Sequence, residues 1–275
     1  MGVIPGIEFN TFSITARCAR TRMLGIAITT SDITVGSRCP YVMPSVGAIS
    51  TQASTDPTLG PFALRLMEQG YSAKGALQQL DTSDPYIERR QLGIVDRNGN
   101  SAARTGAMNN AWAGHVTGRD HVAMGNGLVG EGVVQAMATV FLETAELDLE
   151  ERLMQALEAG QQAGGEAKDS TPEHSAALLV YGSDAFSRVD LRVDEHPTPV
   201  VELRRLLDIF APKIEYFALR ATDPEAAQAA KRSTGRSGES EPFGEAAKTG
   251  VLQRARNAPG RTVKKRAASS LGQQT

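Results

Sequence analysis

The chain has 275 residues, 41% of them hydrophobic and 22% charged, with a formal net charge of −2. That suits one globular domain with an appendage, or two small domains. The near-neutral balance gives no general attraction to nucleic acid or anionic lipid, and no apolar run approaches a membrane span.

Residues 1–10 read as an irregular leader. Met1-Gly2-Val3-Ile4-Pro5-Gly6 lacks the positive n-region and long apolar core of a signal peptide, so a cytoplasmic protein is expected. The only cysteines, Cys18 and Cys39, have no metal-ligand spacing and fit idle thiols in a reducing compartment, with a disulfide left open. From Thr11 to Cys18, hydroxyls at Thr11, Ser13 and Thr15 alternate with Phe12, Ile14 and Ala16. This period of two predicts a strand with one hydroxyl face and one apolar face. A polar turn at Arg20-Thr21-Arg22 leads to a second strand, Leu24 to Thr29, and Ile33 to Gly36 reads as a further short strand. Val46 to Thr51 is another, ending at Gln52-Ala53-Ser54.

Helices follow. Thr55 and Asp56 can cap the first, Pro57 suits its first turn, and Gly70 stops it. Ser72 caps a second, with Ala73, Ala76, Leu77 and Leu80 at helical spacing. Arg90 to Asp96 and Ser101 to Thr105 form a hairpin across Asn98-Gly99, a pair that tolerates positive φ. Trp112 to Val116 and Val122 to Met124 read as strands. Helices are expected from about Gly130 to Thr144 and from Leu149 to Ala159, the latter capped by Asp148 and ended by Gly160. Ala176 to Tyr181 is a continuous apolar run, hence a central strand; Phe186 to Val193 alternates as its half-exposed neighbour; Glu202 to Phe210 is helical. Beyond about Ala221 large apolar residues thin out and Lys264-Lys265-Arg266 appears, so 221–275 reads as a disordered basic tail. Strands, paired helices, strands, paired helices, strands is an α+β order: antiparallel sheets with helices on their outer faces.

Several phrases, in order, resemble a known family. They are Thr11-Phe12-Ser13-Ile14, Val46 to Ala53, Arg90 to Asp96, Thr105-Gly106, Trp112 to His115 and Gly125-Asn126. Leu157 to Gln161, Gly164-Gly165, Ser175 to Leu178 and Val189 to Pro197 continue the set. The chain from about Thr11 to Phe210 resembles the bacterial DUF1028 family, grouped with the N-terminal nucleophile (Ntn) hydrolases. The resemblance implies a four-layer αββα sandwich over 11–220 and a Thr nucleophile at Thr11. Family chains often begin Met-Thr-Phe-Ser, whereas Thr11 follows Asn10. Exposing its amine requires cleavage of the Asn10–Thr11 bond, by self-processing or by another protease.

The chemistry expected of the residues follows. A freed α-amine, with a pKa of about 8, can take the Thr11 hydroxyl proton through a bridging water. The oxyanion formed from an amide substrate needs donors, for which the Gln52–Ser54 turn before a helix N-terminus and Asn126 are candidates. Asp32 is a candidate to orient the amine, Arg90 to meet a substrate carboxylate, and His115 to contact substrate. Each also has a plain structural reading, as a turn Asp, a solvated Arg and an isolated His. No cofactor or metal is expected. Gly125 to Gly130 matches Gly-x-Gly-x-x-Gly in letters but lacks the later acidic residue of a dinucleotide site. The expected activity is hydrolysis of an amide in a small or peptide-like metabolite, by a homo-oligomer with no membrane or nucleic-acid partner. The rival reading is a non-catalytic binding protein, of a small molecule or a partner, on the same sandwich.

Overall fold

The computed structural model describes residues 10–166 and 172–234. The chain divides into two compact units at Ala211/Pro212. The first is a mixed α+β assembly of two antiparallel sheets. The second contains helices α6 (Ile214–Thr222) and α7 (Pro224–Thr234), joined at Asp223, whose carboxylate accepts the Ala226 N–H at 3.0 Å. Helix α7 thus occupies the start of the stretch expected as a disordered tail; residues 235–275 lie outside the described residues.

The six-stranded sheet runs β10-β9-β2-β1-β8-β7. Its strands are β1 (Thr11–Arg17), β2 (Leu24–Thr30), β7 (Gly114–Gly118), β8 (His121–Asn126), β9 (Ser175–Tyr181) and β10 (Ser187–Val193). The four-stranded sheet runs β3-β4-β5-β6, from β3 (Pro40–Met43), β4 (Gly47–Ala53), β5 (Arg90–Asp96) and β6 (Ser101–Thr105). The sheets stack face to face, β1 and β2 against β4, and β8 against β5. Helices α1 (Leu59–Glu68) and α2 (Ala73–Ser83) cover the outer face of the smaller sheet. Helices α3 (Gly132–Glu143) and α4 (Leu149–Gln162) cover the outer face of the larger one, with α5 (Pro199–Phe210) against β9 and β10.

The period of two in β1 explains how this strand serves both layers. Phe12 turns outward to α4, where Gly160 lets the helix close in; a Cβ there would sit 3.0 Å from Phe12 Cε2 and 2.9 Å from Met137 Cγ. The hydroxyl face turns inward, to the second sheet, where Ser13 Oγ donates to Gln52 Oε1 at 2.7 Å. Elsewhere the space between the sheets is filled by Leu24, Ile26, Ile28, Val35 and Ala48, and by Val95, Val122 and Met124.

Three local expectations need correcting. Ile33–Gly36 is not a strand: Thr34 has φ 61° and Val35–Ser37 is a single 3-10 turn, held where Ser175 Oγ accepts the Val35 N–H at 3.1 Å. Gly160 does not end α4, because the close contact with Phe12 favours glycine inside the helix. Strand β7 begins at Gly114, two residues after Trp112. The hairpin turn is as expected, with Gly99 at φ 79° and the Asp96 carboxylate accepting the Asn98 and Asn100 N–H groups at 2.8 and 3.0 Å.

Candidate active site

Strand pairing decides the centre of the site. Thr11, the first residue of β1, lies opposite Thr30 on β2 and opposite Asn126 on β8. The row Thr30–Thr11–Asn126 therefore runs across three adjacent strands at one end of the sheet. It lies at the wall of a cavity of about 460 Å³. Asp32, Arg38 and Cys39 line the cavity from beyond β2, Ala53, Ser54 and Thr55 from the end of β4, and Arg89, Arg90, Asn109 and Asn110 from the β5 side.

Residue 10 is tightly held. The Asn10 N–H donates to Ser31 Oγ at 2.9 Å. Its carbonyl oxygen accepts the Thr30 hydroxyl at 2.7 Å and the Ser31 N–H at 3.1 Å. Thr30 has one hydroxyl hydrogen, and Asn10 takes it. In the 2.9 Å contact between Thr11 Oγ1 and Thr30 Oγ1, Thr11 is thus the donor. The carbonyl before Thr11 sits between two donors, the arrangement that stabilises an oxyanion at a reacting carbonyl.

Behind this row lies a buried amide network. Gln52 Nε2 donates to Gln91 Oε1 at 2.7 Å, and Asn126 Nδ2 donates to the same oxygen at 3.0 Å. Gln91 Nε2 faces Thr105 Oγ1 at 2.9 Å and the Gly125 carbonyl at 2.8 Å. Both glutamines are fully buried. The network fixes the end of β8, and with it Asn126, against β5.

The structure brings Thr11, Asn126, Asp32 and Arg90 to the cavity; it does not bring Gln52 or His115 there. The Gln52 side chain is engaged with Ser13 and Gln91, and so supports the site from behind. The Ser54 N–H, in the turn considered for oxyanion donors, donates to the Arg89 carbonyl at 3.2 Å. His115 is exposed on β7, with Nδ1 2.9 Å from Thr105 Oγ1. Asp32 accepts from Arg38 at 3.2 Å and from its neighbour's N–H at 2.8 Å. Arg90 is held by Asp84 Oδ2 at 2.8 Å and by the Ser54 carbonyl. Burial alone would raise the Asp84 pKa; the Arg90 guanidinium and the Tyr86 N–H outweigh it and hold the carboxyl below its ordinary value.

Residues that sequence reasoning passed over are Thr30, Ser31, Arg38 and Arg89. Nothing local marks them, since their role comes from strand pairing. Arg89 lines the cavity with no ion-pair partner among the described residues. Cys39 is a buried thiol there, pushed up to about 11 by desolvation, which makes it a poor nucleophile. Glu166 forms an isolated bridge with Leu128, two residues after Asn126. Its carboxyl is buried, and the Ser31 N–H is the donor that faces it among the described residues; burial, followed by the nearby Glu173, outweighs that donor and raises its pKa to about 9. Among the described residues no group of His, Cys, Asp and Glu is arranged to hold a metal, and no helix is long and apolar enough to cross a membrane.

Comparison with known proteins places the chain. The crystal structure of protein SPO2555 from Silicibacter pomeroyi, assigned to DUF1028, is similar at 32% identity and a TM-score of 0.67, over 73% of this chain and 89% of that one. Anbu, an ancestral β-subunit from Yersinia bercovieri, aligns at 10% identity and a TM-score of 0.36, over 73% and 96% of the two chains, too low to bear on the argument. A search of the curated proteins found no match. The model of DUF1028, a family of unknown function, matches residues 11–203, and the chain belongs to that family.

Proposed function

We propose that this protein is an Ntn-type amidohydrolase with a four-layer αββα sandwich, using Thr11 as its nucleophile on a small or peptide-like amide that carries a carboxylate. The observation that carries the reading is the placement of Thr11. The first residue of a central strand lies at a cavity, with Thr30 on one side of it and Asn126 on the other. Once the Asn10–Thr11 bond is cut, the Thr11 amine serves as base, the hydroxyl attacks the substrate carbonyl, and Asn126 lies beside the developing oxyanion. Arg89 supports the carboxylate preference, being a cation at the cavity without a fixed partner among the described residues.

The test is turnover of a panel of carboxylated amides, such as N-acyl amino acids, together with the intact mass of the active protein. Hydrolysis by a chain starting at Thr11, lost in Thr11→Ala, is the expected result. Turnover that survives Thr11→Ala, or that accompanies an uncut Asn10–Thr11 bond, overturns it. A second reading, a non-catalytic binding protein, is favoured by the tight hold on Asn10, which keeps the Thr11 nitrogen in a peptide bond. Saturable ligand binding without turnover by a chain that starts at Thr11 would support it.

A further inference from the structure

Three groups in the described residues stand out beyond the proposed hydrolysis. They are the arginine-lined hollow around Cys18 and Arg152, the buried Glu166 and the Asn10 side chain. The hollow's arginines are largely committed: Arg17 to Asp120, Arg152 to the Phe141 carbonyl, Arg20 to the Glu146 and Leu147 carbonyls. Asn10 is different. Its backbone is bonded on both sides, yet its side-chain nitrogen, in a residue only 3% exposed, has no hydrogen-bond partner among the described residues. A buried amide nitrogen left unpaired destabilises the fold, so a chain that keeps one calls for a reason.

We propose that the chain cuts itself at Asn10–Thr11 by cyclisation of the Asn10 side chain. The Asn10 Nδ2 attacks the carbonyl carbon of its own residue. The negative charge that develops on the carbonyl oxygen falls between the Thr30 hydroxyl at 2.7 Å and the Ser31 N–H at 3.1 Å. The new Nδ2–C bond closes a five-membered ring, the C–N bond to Thr11 breaks, and the proton lost by Nδ2 ends on the Thr11 nitrogen. The products are a fragment ending in an aminosuccinimide and a chain with a free Thr11 amine. No water, oxidant or cofactor is consumed.

Two further observations fit this assignment. Gly127, at φ 63°, lies where any Cβ would collide with Asn10 Oδ1, so glycine there is what admits the carboxamide. The Thr11 hydroxyl, the alternative attacking group, already donates to Thr30, while Asn10 Nδ2 is uncommitted among the described residues. The inference deepens the Thr11 reading and rests on it for its biological sense, since it supplies the amine that Thr11 needs.

The experiment is mass spectrometry of the purified full chain and its variants, with released fragments kept. The expected result is a chain starting at Thr11 and a fragment ending at Asn10 that is one water lighter than its free acid. Cutting should be first order and independent of dilution. It should stop in Asn10→Ala, persist in Thr11→Ala, and slow by about 100-fold in Thr30→Val, the usual loss for one oxyanion donor. Circular dichroism checks that each variant is folded. An uncut bond in the folded full chain overturns the proposal, as does cutting by Asn10→Ala. Loss of cutting in Thr11→Ala overturns it in favour of hydroxyl attack. A chain with Met placed directly before Thr11, exposed by ordinary methionine removal, tests the hydrolase reading separately. Its turnover without self-cutting by the full chain sinks only the cyclisation; its lack of turnover sinks the hydrolase reading whatever the masses show.

Discussion

The hydroxyls of Thr11 and Thr30 lie 2.9 Å apart in a buried row, and the Thr30 hydrogen is committed to the Asn10 carbonyl. The pair is therefore a directed chain, Thr11 to Thr30 to Asn10. Thr30→Val removes a donor and an acceptor together, leaving the Thr11 hydroxyl without a partner. Thr11→Val removes one donor and leaves Thr30 still bonded to Asn10. Urea unfolding in the uncut Asn10→Ala background, which keeps the residue-10 carbonyl, should show Thr30→Val costing about 1–3 kcal/mol and Thr11→Val about 1 kcal/mol. The reverse order would contradict the assigned direction.

Gln91 is the hub of the network behind the site, accepting from Gln52 and Asn126 and facing the Gly125 carbonyl. Gln91→Leu keeps the volume and strands several buried polar groups at once. The expected loss is about 3 kcal/mol or more, read as a drop in the denaturant midpoint, since each orphaned group costs about 1–3 kcal/mol. A loss below about 1 kcal/mol would mean that the network does not hold Asn126 in place.

Glu166 gives a pH signature. Its folded pKa, about 9, is above the ordinary 4.5. Between those values the unfolded chain gives up a proton that the folded chain keeps, so stability falls as pH rises, by up to about 1.4 kcal/mol per pH unit. Glu166→Gln removes that dependence. Melting temperatures taken from about pH 5 to about pH 8 should fall more steeply for the parent than for the variant, with the variant's advantage largest at high pH. Parallel slopes would count against a carboxyl held neutral by burial.

Arg89 and Arg90 are adjacent in sequence and opposite in role. Arg90 is spent on Asp84, whose side chain is only 5% exposed, so Arg90→Ala leaves a buried carboxylate and should cost about 3 kcal/mol of stability. Arg89→Ala should leave the melting temperature almost unchanged and weaken carboxylated ligands by about 1 kcal/mol, an effect that shrinks with added salt. Calorimetric melting and ligand titration at two salt concentrations separate the two. Equal losses of stability would refute the division.

Much of this layout is written locally. Alternation in Thr11–Arg17 signals a strand, because successive side chains on an extended backbone point to opposite faces. Asn98-Gly99 signals a hairpin, since positive φ costs glycine nothing. Ser72 signals a helix start, and its hydroxyl does accept the Gly75 N–H at 3.2 Å. The turn at Thr34 was hidden, because an apolar, β-branched run carries the same local signal whether or not it finds a partner strand.

For the site, the sequence alone determined the hydroxyl row of β1 and the candidacy of Thr11, Asn126, Asp32 and Arg90, which do reach one cavity. Only the tertiary structure decided which face of β1 turns to the second sheet. It also decided that Thr30 and Asn126 flank Thr11, that Gln52 lies behind the site, and that Arg89 rather than Arg90 is uncommitted among the described residues. The physical reason is pairing at a distance. Strand register and sheet stacking join residues far apart in the chain, and a hydrogen bond such as Thr30 to Asn10 exists only once those strands lie side by side.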